Sequence, residues 1–163
     1  MNHLNELIVP ARVLANAKAD SRKRALEVLS ELLSKDQPDL SQAEVMQGLV
    51  SRERLGSTAI GGGIAVPHGR AAGITQVIGA LIRLNDPVNY GAEDGVPVDL
   101  MFAILVPLEC TEAHAQFVSQ VTLRLSDPDV CRHLREAKTS KALYACFADD
   151  EACARELRVG LHA

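Results

Sequence analysis

The stretch Val98-Asp-Leu-Met-Phe-Ala-Ile-Leu-Val106 is apolar at every position but Asp99. A strand with one wet face alternates apolar and polar residues, whereas a strand covered on both faces reads as a continuous apolar run. Val77-Ile-Gly-Ala-Leu-Ile-Arg-Leu84 reads the same way. Two such strands need helices on both sides, and the flanking sequence supplies them. Upstream, Ser21 opens a pattern in which Ala25, Leu26, Val28, Leu29, Leu32 and Leu33 share one face and charged residues the other. Downstream, Phe117, Val118, Val121 and Leu125 form a helical stripe with Thr111 as its expected N-cap. This arrangement predicts a three-layer α/β domain spanning residues 1–163.

The punctuation is equally legible. Ser41-Gln-Ala-Glu44 reads as a capping box, its hydroxyl serving one free N–H and Glu44 reaching back to another. The helix it opens pairs Val45 with Leu49 and Met46 with Val50, and Gly56 suits its stop. Asp127-Pro128-Asp129 starts a further helix, with proline at the first helical position. Another begins near Thr139 and carries Leu143 and Phe147, and residues 149–157 extend or follow it. A short first strand is expected around Val13. Asn85-Asp86-Pro87 and Gly91-Ala-Glu-Asp-Gly95 read as turns around a short strand at Val88–Tyr90.

Composition excludes several classes. Lys+Arg 17 against Asp+Glu 21 gives a formal charge of −4, without the basic excess of a nucleic-acid binder. Aromatic residues are 3% and Trp is absent, which argues against stacking platforms for bases or sugars. The longest apolar run, Leu100 to Val106, falls far short of the ~18 residues of a membrane span. No signal peptide is legible at the N-terminus. Cys110, Cys131, Cys146 and Cys153 show no CxxC pairing, so free thiols in a reducing cytoplasm are expected, with neither a disulfide framework nor a metal site.

Chemistry concentrates in Gly56-Ser-Thr-Ala-Ile-Gly-Gly-Gly-Ile-Ala-Val-Pro-His-Gly-Arg70. Two readings stand: a surface turn with an incidental histidine, or an anion site. In the second, Gly61, Gly62 and Gly63 let backbone N–H groups approach a ligand, and Ser57 and Thr58 add hydroxyls. Neither a P-loop nor a dinucleotide fingerprint fits, because Gly-Lys-Ser/Thr and GxGxxG are missing. Pro67 restricts the chain on the way into His68, and Gly69 leaves open space behind it. A histidine of ordinary pKa, about 6.5, is mostly neutral near pH 7 and is a nucleophile that needs no separate base. A phosphohistidine would need donors around three anionic oxygens. Arg52 and Arg54 end the second helix, though sequence does not orient them. His114 lies three residues after Thr111, where a neutral imidazole at a helix start can donate to an oxyanion. His3, His133 and His162 read as surface or end-of-chain residues.

At these residues the chain resembles the type-2 enzyme IIA domains of the bacterial phosphotransferase system, the mannitol/fructose class. The family centre, Ser-Thr-Gly-Ile-Gly-x-Gly-Ile-Ala-Ile-Pro-His-Gly, stands here as Ser57 through Gly69, with Ala59 for a glycine. The likeness continues through Arg52-Glu53, Pro97-Val98-Asp99-Leu100, Leu105-Val106-Pro107 and His114, with Ala115 in place of the usual leucine. It implies a mixed sheet covered by helices on both faces. It also implies that His68 is phosphorylated, on Nε2, that His114 contacts the phosphoryl group and that Arg52 helps to hold it. Ser21-Arg-Lys-Arg-Ala-Leu-Glu27 and Asp129-Val-Cys-Arg-His-Leu-Arg135 are most similar to the nitrogen-regulatory branch.

The resemblance therefore implies a cytoplasmic phosphotransferase component that takes phosphate from a histidine phosphocarrier protein of the nitrogen branch. Its phosphorylation state would control regulatory targets, potassium transport and sensor kinase components among those known for the family. No cofactor is expected, because donor and acceptor are both imidazole nitrogens. Two other readings remain: a sugar-specific subunit that passes phosphate to a membrane permease, and an interaction module that is never phosphorylated.

Overall fold

A computed structural model describes residues 3–109 and 112–162. Its strands are β1 (Val13–Ala17), β2 (Ala59–Gly61), β3 (Ile64–Ala65), β4 (His68–Ala71), β5 (Ile78–Val88) and β6 (Val98–Pro107). They form one mixed sheet in the order β1-β5-β6-β3-β2, with β4 also on β6. The two continuous apolar runs are the antiparallel central pair β5–β6, while β1 runs parallel to β5, and β3 and β4 run parallel to β6.

Helices α1 (Arg22–Ser34) and α2 (Gln42–Glu53) cover one face, and α3 (Glu112–Leu125), α4 (Pro128–Glu136), α5 (Ser140–Ala148) and α6 (Asp150–His162) the other. Alternation along β6 divides the core. Leu100, Phe102, Ile104 and Val106 enter the layer beneath α3–α6, while Met101, Ala103 and Leu105 enter the layer beneath α1 and α2. Burying each large side chain contributes about 1.5–3 kcal/mol, so the sheet is held from both sides. The three-layer α/β/α expectation is correct. Among the described residues no helix is long and apolar enough to cross a membrane.

Most helix starts are where their capping residues place them. Ser21, Ser41, Asp127 and Thr139 each accept a hydrogen bond from a first-turn N–H. The capping box is half made: Ser41 Oγ accepts from the Glu44 N–H and donates to the Glu44 carboxylate, which therefore does not reach back to the backbone. The Thr111 cap lies outside the described residues. The expected turn at Asn85-Asp86-Pro87 is instead strand: β5 continues through it to Val88, which pairs with Val98. The ladder is irregular between Arg83 and Val88, and residues 85–87 are exposed. A proline, which has no N–H to give, is tolerated at such an interruption.

The expectation of free thiols fails for two cysteines, because Cys146 and Cys153 form a disulfide. On one continuous helix, seven positions would separate them by about 10.5 Å along the axis. Here α5 ends at Ala148, Asp149 is extended, and its carboxylate accepts from the N–H groups of Glu151 and Ala152 to start α6. That reversal brings the two Cα atoms to 4.1 Å. Cys131 is free and buried, its thiol donating to the Leu125 carbonyl at 3.0 Å, and Cys110 lies outside the described residues.

Candidate active site

Strands β3 and β4 act as one strand with a gap. Ile64 and Ala65 pair with Leu100 and Met101, His68 and Gly69 with Ile104 and Leu105, and the offset is constant across Val66-Pro67. Pro67 offers no N–H, but its carbonyl still accepts from the Ile104 N–H at 2.9 Å. The gap leaves the Val66 carbonyl beside the His68 ring, where Nδ1 lies 3.0 Å from it. A carbonyl only accepts, so Nδ1 carries the proton and Nε2 carries the lone pair. The Arg52 Nε–H donates to that Nε2 at 3.3 Å.

Arg52 reaches His68 because α2 lies directly on β4. A Cβ at Gly69 would meet the Gly48 backbone at 2.8 Å, and one at Gly48 would meet the Arg70 carbonyl at 3.0 Å. The open space expected behind Gly69 is thus filled by a helix backbone. Arg52 is one turn beyond Gly48 on the same face. Its Nη1 donates to the Gly56 carbonyl at 2.8 Å, which ties the side chain to the end of its own helix. Arg54 is exposed and caps α2 through its backbone.

The next residue, Glu53, turns inward and is buried. Its carboxylate accepts from the Thr58 N–H at 3.2 Å, from the Thr58 hydroxyl, and from the Tyr90 hydroxyl at 2.6 Å. Burial, then the adjacent Glu53 carboxylate, hold the Tyr90 hydroxyl far above its ordinary pKa, so it remains a donor. This buried group fastens the segment after α2 to the end of α2 itself. The Thr58 hydroxyl is committed to Glu53, although Thr58 lines the small hollow beside Arg52 and His68. Ser57 does stand at the cavity with Arg52 and His68, its hydroxyl accepting from the Ala59 N–H at 3.1 Å.

The glycine turn is elsewhere. Gly61 and Gly62 line a separate hollow with Cys131 and Arg135, not the His68 cavity. The Gly62 N–H, which the anion reading offers to a ligand, donates to the Asp94 carboxylate at 2.9 Å. That bond and one from the Val96 N–H hold the Asp94 pKa below its usual value. Gly63, at φ +82°, has no room for a Cβ between the Arg135 guanidinium and the Pro97 carbonyl. Arg135 in turn pairs with Asp99 at 2.8 Å and donates to the Gly62 carbonyl. The three glycines make a hairpin whose anion is the protein's own.

The cavity over His68 holds about 510 Å³. Arg52, Leu55 and Arg70 form one side, and Ala115, Val118 and Ser119 of α3 the other. His114 stands on the first turn of α3; its side chain lies outside the described residues. Leu55 at the rim is 84% exposed, and Ile60 beside the Ser57 end is partly exposed. Sequence reasoning passed over Gly48, Glu53 as a buried carboxylate, and Tyr90. A mid-helix glycine costs about 1 kcal/mol relative to alanine, and that cost was the available signal for Gly48.

Residues 6–150 match the family model described as phosphoenolpyruvate-dependent sugar phosphotransferase system, EIIA 2. The chain is 40% identical over 149 residues to a nitrogen regulatory protein of Pseudomonas aeruginosa, covering 91% of this chain and 97% of that one. It is 43% identical over 132 residues to the nitrogen regulatory protein of Escherichia coli, covering 80% of each. The crystal structure of nitrogen regulatory protein IIA-Ntr from Neisseria meningitidis superposes with a TM-score of 0.83 at 34% identity, over 90% of this chain and all of that one.

Proposed function

Because the chain belongs to the EIIA 2 family of the phosphoenolpyruvate-dependent sugar phosphotransferase system, we propose that it is a regulatory phosphoryl acceptor of the nitrogen type. It takes a phosphoryl group onto His68 from a histidine phosphocarrier protein and controls its targets through that state. The nitrogen regulatory proteins among its relatives support the regulatory half of this reading. The observation that carries the chemical half is the hydrogen bond from His68 Nδ1 to the Val66 carbonyl. It fixes the tautomer, leaving Nε2 with an in-plane lone pair toward Arg52 and the cavity.

In transfer, the Nε2–P bond forms as the donor's N–P bond breaks in line, and the donor imidazole recovers its electron pair. His68 keeps its Nδ1 proton throughout, and the positive charge that develops on the ring is stabilised by the Val66 carbonyl. Arg52, released from Nε2, is placed to pair with the phosphoryl oxygens, the Ser57 hydroxyl is a second donor, and His114 is assigned the helper role on the α3 side. No proton needs to leave the site, so no general base is required. Leu55 and Ile60 offer the carrier an apolar rim beside the nucleophile.

Incubation with phosphoenolpyruvate, the first enzyme of the relay and the carrier should add one phosphate to the intact mass. His68→Gln should add none, and the wild-type label should be lost in acid, as expected of a phosphoramidate. Undiminished labelling of His68→Gln would sink the assignment. His114→Ala should retain the fold and slow transfer, and unchanged kinetics would remove His114 from the site.

A further inference from the structure

The disulfide between Cys146 and Cys153 has a position that serves more than its own helices. Among the residues of α6 whose side chains are described, Cys153 is the one that is buried; Leu157 is half-buried, and the half-buried Glu156 meets the exposed Lys141 at 3.5 Å. The cross-link is therefore a covalent tie that supplements the Leu157 packing, since an ion pair with one exposed partner adds little. The corner it closes, residues 146–150, is also where α3 is anchored. Arg124, near the end of α3, donates through Nε to the Phe147 carbonyl at 2.8 Å and through Nη2 to the Cys146 carbonyl at 3.3 Å. It pairs with Asp150 at 3.4 Å and lies over the Phe147 ring, 5.6 Å from its centroid. Among the described side chains of α3, Val121 and Leu125 are buried and Phe117 and Val118 pack half-buried against the same core, and the Arg124 anchor adds a polar tie to that apolar contact. The same helix supplies Ala115, Val118 and Ser119 to the wall of the His68 cavity.

We infer that the Cys146–Cys153 bond is a reversible redox-modification site whose state sets, through Arg124, how firmly α3 closes the wall of the His68 cavity. Reduction consumes two electrons and two protons from a dithiol: its thiolate attacks one sulfur, the mixed disulfide resolves, and the products are two protein thiols and the oxidised dithiol. Oxidation reverses this with a low-molecular-weight disulfide as acceptor. Both sulfurs are buried, so exchange proceeds when α6 swings away from α5, and reduction in turn leaves α6 without its cross-link. Loosening the corner then releases the Asp150 carboxylate of α6 from Arg124 and leaves the Cys146 and Phe147 carbonyls, at the end of the buried α5, without the cross-link that fixes that end. The link from α3 to His68 chemistry rests on the function proposed above; the redox site and its mechanical effect do not.

The test uses the full chain, equilibrated in a series of dithiol and disulfide mixtures, quenched and digested. Trypsin places both cysteines in one peptide, Ala142–Arg155. That peptide should interconvert between two forms differing by the mass of two hydrogens; a single form throughout the series overturns the site. Hydrogen exchange should then quicken about tenfold on reduction in residues 150–159 and severalfold in residues 117–125. Unchanged exchange in 117–125 overturns the coupling. Wild type serves as its own control, so no variant has to fold for these readings. In Arg124→Gln, reduction should still loosen α6 but no longer alter α3, and an α3 response equal to wild type would remove Arg124 as the link. Cys153→Ser should match the reduced protein whatever the mixture. Phosphoryl acceptance by reduced wild type should be about threefold to tenfold slower than by oxidised wild type. If neither form accepts phosphate, the proposed function fails, while the exchange data still decide the redox inference.

Discussion

Arg52 and Glu53 are neighbours with opposite surroundings, and their division of labour explains how a short motif builds a site. The arginine meets His68; the glutamate is buried one position on, against Thr58 and Tyr90. Arg52→Lys keeps the charge but loses the planar fork that bonds His68 and Gly56 together. Transfer should slow by about tenfold to a hundredfold, with the melting temperature little changed; a rate within twofold of wild type would mean that charge alone suffices. Glu53→Gln places an amide where three donors converge, so one or more buried donors loses its acceptor. A loss of about 1–3 kcal/mol in denaturant unfolding is expected. His68 and Arg52 were legible because a motif fixes their types. Thr58 was legible as a residue but not as a role, since only the fold shows that its hydroxyl faces a buried carboxylate. Asp94 is the converse case, because a carboxylate in a turn gave no sign that it occupies the glycine N–H. Its depressed pKa makes the tie stabilising above the ordinary carboxylate pKa, and that stability is lost as pH falls through the lower folded value. An NMR titration of the Gly62 amide should therefore move only at acid pH, and Asp94→Ala should leave transfer within about twofold of wild type. A large loss of transfer would return the glycine turn to the site.

At the scale of elements, the decisive contact is α2 on β4. Capping residues and stripes made the helices readable, and apolar runs made β5 and β6 readable, because both are local signals. The meeting of Gly48 and Gly69 is not local: 21 positions separate them, and neither glycine reveals which backbone approaches it. The α5–α6 break was ambiguous for the same reason, since Asp149 is able to cap a new helix or continue an old one. Gly69→Ala puts a methyl 2.8 Å from the Gly48 backbone, which cannot yield without moving α2. Overpacking of this kind costs about 1–3 kcal/mol. The shift carries Arg52 away from His68, so transfer should fall further than the loss of folded protein accounts for. Gly62→Ala is the matched control on the hairpin, where no atom lies in the way of a Cβ but φ is +67°: it should cost stability without the extra loss of transfer. Equal transfer per folded molecule in Gly69→Ala would show that α2 placement does not govern Arg52.

At the scale of the molecule, the question is what a partner meets. The net charge of −4 is modest and spread over the chain. In the proposed function, phosphorylation of His68 would add about −1.5 to −2 at one place, by analogy with other phosphorylated side chains. That place is bordered by Arg52 and Arg70 and by the rim residue Leu55, so the same surface would change from cationic and apolar to nearly neutral and apolar, with phosphoryl oxygens in place of a bare imidazole. A partner that docks on Leu55 would thus read the state of His68 within the same footprint, with no change of fold required. The proposed phosphoryl donor would use this footprint as well, because its imidazole would have to reach Nε2 across the rim. Leu55 is 84% exposed and packs little against its own chain, so truncating it should hardly affect stability. Leu55→Ala should raise the KM for the carrier by about tenfold, equivalent to ~1.4 kcal/mol of lost apolar burial, while the rate at saturating carrier stays within about twofold. That split distinguishes docking from chemistry, since loss of a group acting in the transition state would lower the saturated rate instead. A KM equal to wild type would place the carrier on another face, and the charge switch at His68 would then need a different reader.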